Sequence, residues 1–341
     1  MTKWLDSVGT DEDVVISTRL RIARNISNYK FPDFMAMDES QAVIEEVLNA
    51  MKDNKDIYRF YRVDDLSELE RVELVEDHLI SPRLAKSSKN GGFLLREDEK
   101  STIMINEEDH IRIQVLLSGL NTHDGWEICS EIDDHLEKNI EYAFHEKFGY
   151  LTSCPTNVGT GLRASVMVHL PCLSMTGHIN TIIDGLGKIG LTSRGIYGEG
   201  SKALGHLFQI SNQTTLGENE EEIIKKLNRV VLQIVARERS TRGYMLDKKK
   251  IELEDKIFRS LGILNYSRLI SSTEAMAHLS NVKLGCDVAI INSINPKDIV
   301  KLMIDIQPAN IQRNSNREMT KDERDIYRAQ IIRNKFRNME G

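Results

Sequence analysis

Ser101-Thr102-Ile103-Met104-Ile105, continued by Asn106-Glu107-Glu108-Asp109-His110-Ile111-Arg112, is the stretch on which the reading of this chain turns. Its first five residues carry the branched, apolar texture of a strand. Three consecutive carboxylates follow at once, with an arginine four residues beyond Glu108. This cluster has two readings. In one, Asn106 caps a helix whose first turn favours anions through the macrodipole. Glu108 and Arg112 then form an i,i+4 pair worth roughly 0.3 kcal/mol. In the other, one carboxylate is a base and Arg112 holds a phosphate. The remaining arginines decide between them.

With 341 residues the chain has room for two domains of ordinary size. Apolar residues at 40% and charged residues at 28% describe a soluble globular protein. No apolar run reaches the ~18 residues of a membrane span. Residues 1–13 lack the basic-then-apolar order of a signal peptide. Cys129, Cys154, Cys172 and Cys286 form no C-x-x-C pair, which excludes the usual zinc spacings and a dense disulfide framework. A reducing cytoplasm fits. The net charge of −7 argues against direct nucleic-acid binding. Residues 310–338 depart from it, with eight Lys/Arg against four Asp/Glu. That segment is either a solvated helix face or an anion-binding one.

Alternating branched and polar residues predict strands over 14–26, 57–63, 162–170 and 206–211. Residues 92–96 and 101–105 bracket Glu97-Asp98-Glu99-Lys100 as a hairpin. Helical spacing covers 39–51 and 218–239. It also places Trp126, Ile132, Leu136, Ile140, Ala143 and Phe144 on one stripe of a helix ending at Gly149. After Arg242-Gly243 the patterns are mainly helical. The expected organisation is an N-terminal extension over 1–13, an α+β domain over 14–241 and a helical domain over 242–341. The α+β part is an antiparallel sheet flanked by helices, since no βαβ alternation is present.

Five arginines, Arg19, Arg21, Arg112, Arg163 and Arg194, lie in strand-like or Gly/Ser/Thr-rich settings. Guanidinium forks match phosphate oxygens and stay charged at any working pH, so several together would clamp a triphosphate without a glycine-rich cradle. Taken singly, each is an ordinary surface arginine. Gly159-Thr160-Gly161-Leu162-Arg163-Ala164 formally fits G-x-G-x-x-A, but it precedes a strand rather than a helix and is rejected as a dinucleotide site. Arg194-Gly195-Ile196-Tyr197-Gly198-Glu199-Gly200 reads either as a closing loop carrying a second carboxylate, Glu199, or as an exposed Gly-rich turn.

Together, Ser17-Thr18-Arg19-Leu20-Arg21, Asn106 to Arg112, Cys154-Pro155-Thr156-Asn157, Gly161-Leu162-Arg163-Ala164-Ser165 and Arg194-Gly195 to Glu199 closely resemble the motifs of the guanidino (phosphagen) kinases. They occur in that family's order across residues 14–241. The resemblance implies ATP as phosphoryl donor, Mg²⁺ entering with it, and no dedicated protein metal site. The nucleotide site would comprise Ser17, Thr18, Arg19, Leu20, Arg21, His78, Arg112, Arg163, Ala164, Ser165, Val166, Met167, Arg194, Gly195, Ile196, Tyr197, Gly198 and Glu199. It implies Glu108 as the principal catalytic carboxylate, Glu199 as the second, and Cys154 as a thiol beside the reacting nitrogen. Cys154 also reads as a buried small hydrophobe. Glu107 is left as an electrostatic helper near Mg²⁺ and Asp109 as structural.

The family's small-molecule kinases carry a helical N-terminal domain of ~100 residues, an ordinary domain size. Here the first motif begins at residue 17, and the length is recovered after residue 242. That layout is similar to the branch of the family that phosphorylates arginine side chains in proteins. Arg324-Asp325-Ile326-Tyr327-Arg328-Ala329 resembles that branch's phosphoarginine pocket, with Arg324, Asp325, Arg328 and Ala329 as its residues. Read alone, it is a charged helix face with Arg324 and Arg328 at i,i+4. The resemblance further implies protein substrates with exposed arginines, a zinc-finger activator protein, a heat-shock transcriptional repressor, a Clp ATPase and a homodimer. A kinase for a free guanidino metabolite and a silent phosphoarginine-binding scaffold are the alternatives.

Overall fold

A computed structural model describes residues 2–86, 90–195 and 204–340. Within them the strands are β1 (Val15–Arg24), β2 (Tyr58–Arg62), β3 (Gly92–Arg96), β4 (Ser101–Ile105), β5 (Ile111–Ser118), β6 (Phe144–His145), β7 (Gly149–Tyr150), β8 (Leu162–His169), β9 (Leu191–Gly195) and β10 (Leu207–Asn212). The helices are α1 (Met37–Ala50), α2 (Glu68–Glu76), α3 (Pro82–Ala85), α4 (Thr122–Glu137), α5 (Pro171–Met175), α6 (Ile179–Gly187), α7 (Glu220–Lys248), α8 (Lys250–Tyr266), α9 (Ser272–Asp287), α10 (Pro296–Asp305), α11 (Pro308–Ser315) and α12 (Lys321–Glu340). Eight strands form one sheet in the order β2-β3-β4-β5-β1-β8-β10-β9, and β6 pairs with β7. The fold is the expected α+β arrangement, an antiparallel sheet flanked by helices with a helical C-terminal region. Backbone contacts divide it into two compact units, one of residues 1–10, 17–166 and 211–229, the other of 11–16, 167–210 and 230–341. The expected boundary at residue 242 falls inside α7.

The first unit is organised by strand alternation. In the antiparallel β1–β5 pair, Leu20 faces Val115 and Ile22 faces Ile113, while Ile103 of β4 faces Ile113 from the other side. These residues are all essentially buried and share one side of the sheet. The helix α4 packs on β5, and α1 on β4. Gly125 permits that approach, because a Cβ there would stand 2.6 Å from the Leu20 side chain. On the opposite side, Phe93 and Met104 join Val63, Ile80 and Leu84 in a second apolar cluster under α2 and α3.

Two sequence expectations give way here. The acidic run at 106–110 is not a helix start but the turn of the β4–β5 hairpin. Asn106 adopts φ +57°, a left-handed conformation Asn tolerates, and its N–H donates to the His110 carbonyl at 3.0 Å. Ile105 pairs with Ile111 across the turn. Likewise α4 ends at Glu137, so Ile140, Ala143 and Phe144 do not continue its stripe. The chain there pairs with the end of β1, with Ala143 N donating to Asn25 O at 2.7 Å and Ile26 bridging Tyr142.

The second unit holds a buried charge cluster. Lys283 donates to Asp287 at 2.8 Å, and Arg242 donates to Glu238 at 3.0 Å. The same Glu238 accepts from the Cys172 and Leu173 amides, which caps α5.

The His110 ring locks the hairpin turn. Its Nδ1 accepts from Ile26 N at 3.0 Å and its Nε2 donates to Lys30 O at 2.8 Å, an arrangement only the neutral ring can make. Burial holds its pKa at about 4. An unfolded histidine takes its proton near ~6.5, so between those values the unfolded state binds more protons and stability falls as the pH is lowered. His110 is expected to withdraw about 2 kcal/mol of stability between neutral pH and about pH 5. Urea unfolding across that range should show a shallower fall for His110→Gln. An identical slope in both proteins would contradict the assignment.

Candidate active site

The register of β1 against β5 builds a cationic surface. Arg19 and Arg21 alternate along β1, and Ala23, next on their side, pairs with Arg112. Arg19, Arg21 and Arg112 therefore project from one side of the sheet, opposite the Leu20–Ile22 core. Arg163 lies near enough on β8 that its charge, with that of Arg112, acts on both Arg19 and Arg21. Burial first, then those two cations, lower Arg19 to about 10. Arg21 is pushed down in the same way, with Arg19 adding to the repulsion. Like charges gathered in a half-buried site repel, and a polyanion relieves that repulsion.

The motif Ser17-Thr18-Arg19-Leu20-Arg21 divides by this alternation. Ser17 shares the side of Arg19 and Arg21. Thr18 lies on the other, donating to Gly119 O at 2.7 Å and accepting from Asn121 N at 2.9 Å, and Leu20 is fully buried. On β8, Arg163 and Met167 are half-buried, while Ala164, Ser165 and Val166 are buried. Ser165 Oγ donates to Arg19 O at 3.2 Å. Arg194 and Gly195 end β9. Ile196, Tyr197, Gly198 and Glu199 lie outside the described residues.

The β4–β5 turn sets the carboxylates beside the arginines. Glu107, not Glu108, pairs with Arg112, at 2.6 Å, with the Glu107 side chain 1% exposed. Its other oxygen accepts from Ser81 Oγ, while the oxygen facing Arg112 also accepts from the Glu108 N–H at 3.2 Å. Burial alone would raise Glu107, but Arg112 and these donors outweigh it and hold the carboxyl below its ordinary value. Its oxygens are therefore committed to orienting Arg112. Glu108 is half-buried, and its nearest cation is Arg83, 3.6 Å away. Burial, then Asp109 and Glu107, raise its pKa above that of an ordinary carboxylate. That suits a group that must take a proton near neutral pH.

Asp109 ties the turn to the Cys154 loop. One of its oxygens accepts from Asn25 Nδ2 and from Ser153 N, both at 2.7 Å. Cys154 follows, half-buried, its Sγ 3.0 Å from Thr156 Oγ1. His78 has φ +64° and is held at about 4 by burial and then Arg19, so its ring is neutral at neutral pH. Gln114, across from Arg21 on β5, donates to the His78 and Leu79 carbonyls at 2.9 and 3.2 Å and fixes that segment.

Sequence reasoning missed Gln114, Ser81 and Arg83. Only Gln114 carried a signal, its i,i+2 spacing from Arg112. Among the described residues no three His, Cys, Asp or Glu side chains are grouped to hold a metal ion.

In the second unit, Arg328 is 1% exposed and donates to Ile306 O and Ile270 O, each at 3.0 Å, and to Asp325. Ala329 is buried beside it. Arg324 is half-buried and donates to Met319 O at 2.8 Å. Arg324 is thus the more accessible guanidinium of the two.

Comparison with known proteins matches residues 39–241 to the ATP:guanido phosphotransferase C-terminal catalytic domain and residues 250–341 to the protein-arginine kinase McsB C-terminal domain. The chain is 48% identical to the protein-arginine kinase of Brevibacillus brevis, covering 100% of this chain and 96% of that protein. Its identity to the protein-arginine kinase of Halothermothrix orenii is also 48%, covering 98% and 97%. Among solved structures, lombricine kinase superposes with a TM-score of 0.61 at 27% identity over 68% of each chain. The substrate-free duplicated taurocyamine kinase from Schistosoma mansoni gives 0.60 at 25% identity, over 71% of this chain and 36% of that one.

Removing Glu107 leaves Arg112, 18% exposed, without its carboxylate among like charges, so Glu107→Ala is expected to destabilise the protein by about 2 kcal/mol. Glu108→Ala, at a more open and weaker contact, should cost less than about 1 kcal/mol. Urea midpoints of the two variants test this, and equal losses would contradict the distinction.

Proposed function

This chain belongs to the ATP:guanido phosphotransferase family, within its protein-arginine kinases, and we propose that it transfers the γ-phosphoryl group of ATP to arginine side chains of proteins. The observation that carries this reading is the hairpin that sets a carboxylate of raised pKa, Glu108, one residue from the Glu107 that holds Arg112.

In this reading Arg19, Arg21, Arg112 and Arg163 take the phosphates and neutral His78 borders the nucleotide; Arg194 is assigned to the phosphates by the motif resemblance alone. Ser17, Ser165 and the backbones of β1 and β8 shape that site. Mg²⁺, held by the ATP phosphates and water rather than by a protein cage, would supply further neutralisation of charge on the transferring group. An arginine side chain stays protonated up to a pKa above ~12, which makes it a poor nucleophile. Glu108 accepts paired N–H donors from the guanidinium, orients one nitrogen toward the γ-phosphorus and takes its proton as the P–N bond forms. The bond from phosphorus to the bridging oxygen breaks and ADP leaves. Glu199 is the second carboxylate on the guanidinium, and Cys154 flanks the reacting nitrogen.

The full-length likeness to protein-arginine kinases supports protein rather than metabolite substrates. The second reading, a kinase for a free guanidino metabolite, draws on the likeness to lombricine kinase, which covers only 68% of this chain. We assign residues 14–241 to catalysis and 242–341 to a regulatory domain. There Arg324 meets the phosphate of a phosphoarginine, and Arg328 holds Asp325 toward its guanidinium. The finer biology follows from the same resemblance: modified proteins pass to a Clp ATPase, a heat-shock repressor is inactivated, and a zinc-finger protein activates a cytoplasmic homodimer.

Glu108→Gln should keep ATP affinity and lose about 10²–10⁴-fold in phosphorylation of an unstructured basic protein. Radiolabel transfer from ATP measures it, and near-normal turnover would sink the role of Glu108. In the active enzyme, kcat/KM should fall on acidification as Glu108 gains its proton.

A further inference from the structure

A cleft of about 580 Å³ opens beside the candidate base, lined in part by Met35, Ala36, Met37, Arg83, Lys86 and Glu107. Two of these residues fix its place in the chemistry. Glu107 is the chain neighbour of Glu108, and Arg83 Nη1 is 3.6 Å from the Glu108 carboxylate. Arg83 therefore marks where a guanidinium rests beside Glu108, and that place borders the cleft. Among the described lining residues none is Arg19, Arg21, Arg112 or Arg163.

The chemistry of the cleft is selective. Of the carboxylates among its described lining, Glu107 is committed to Arg112 and Ser81, and Asp33 forms an exposed ion pair with Arg83 at 3.1 Å. The exposed Lys86 disfavours a further cation. Pro32, Met35, Ala36 and Met37 give the lining an apolar character, and Met37 is 62% exposed, with Phe34 three residues before it more open still at 78%. Such apolar surface next to a reacting centre is suited to a substrate side chain.

We propose that this cleft is a subsite for the residue flanking the target arginine and that it selects an apolar side chain there. The inference rests on the arginine-kinase reading and adds a physical basis for its substrate class. An arginine within a polypeptide brings a neighbour to the cleft, whereas free arginine brings only its own charged amino and carboxylate groups. Filling the cleft then contributes binding energy that only a polypeptide can supply.

The test uses the full-length protein with Mg·ATP and a series of unstructured peptides, each with one arginine flanked by Leu, Gly, Asp or Lys. Leucine flankers should raise kcat/KM about tenfold over glycine, and lysine flankers should be poorest. Met37→Glu places a carboxylate at an exposed helix start that tolerates it. It should collapse the leucine preference and improve lysine-flanked peptides relative to glycine. A thermal melt of the variant checks that it is folded, and Lys86→Glu gives a second, exposed position that should improve the lysine-flanked peptides. Equal rates for every flanker overturn the subsite, as does a leucine preference unchanged in Met37→Glu. No acid-labile phosphate on any peptide overturns the kinase reading itself, and the subsite with it.

Discussion

The Glu107 carboxylate, buried in the β4–β5 turn and 2.6 Å from Arg112, is the contact that holds the active-site region together. A buried carboxylate survives only when its charge and lone pairs are met, and here Arg112, Ser81 and the Glu108 amide meet them. The same contact fixes the direction of Arg112 and leaves the Glu108 carboxylate, though not its amide, outside the network and 3.6 Å from Arg83. One carboxylate is thereby tied down and lowered, while the next is raised and available. Two adjacent acids are shifted in opposite directions because their surroundings differ, which is the basis for the different roles proposed for them.

The arginine side of the sheet presents the complementary problem. Arg19, Arg21, Arg112 and Arg163 repel one another, and the fold carries that cost in a half-buried site. The rest of the first unit stabilises them in place. Leu20, Ile22, Ile113 and Val115 bury the opposite side, α4 packs close over Gly125, and Gln114 pins the His78 segment. A triphosphate would discharge the repulsion. In the proposed function, part of the unfavourable electrostatics of folding would be returned as nucleotide affinity.

Much of this was legible in the sequence where local pattern and tertiary structure agree. The Glu97-Asp98-Glu99-Lys100 hairpin, β1 and α1 follow from alternation or helical spacing, and the gathering of Arg19, Arg21, Arg112 and Arg163 agrees with their motif contexts. Two failures share one cause, long-range pairing overriding local spacing. Residues 140–144 keep a helical stripe, yet their backbone pairs with the end of β1. Residues 106–110 carry the acids of a helix start, but Ile105 and Ile111 pair across them and Asn106 takes the left-handed turn. Ser81 and Arg83 had no local signal, since only the folded chain brings them to Glu107 and Glu108. Arg324 and Arg328 look equivalent at i,i+4, but burial makes one a structural strut and leaves the other more open.

The central claim is that this site phosphorylates arginine held in a polypeptide. Mass spectrometry of a mixed protein substrate after incubation with the full-length protein and Mg·ATP tests it most directly. The account predicts acid-labile phosphate on arginine side chains. Phosphate found only on Ser or Thr, or only on added free arginine, would contradict it.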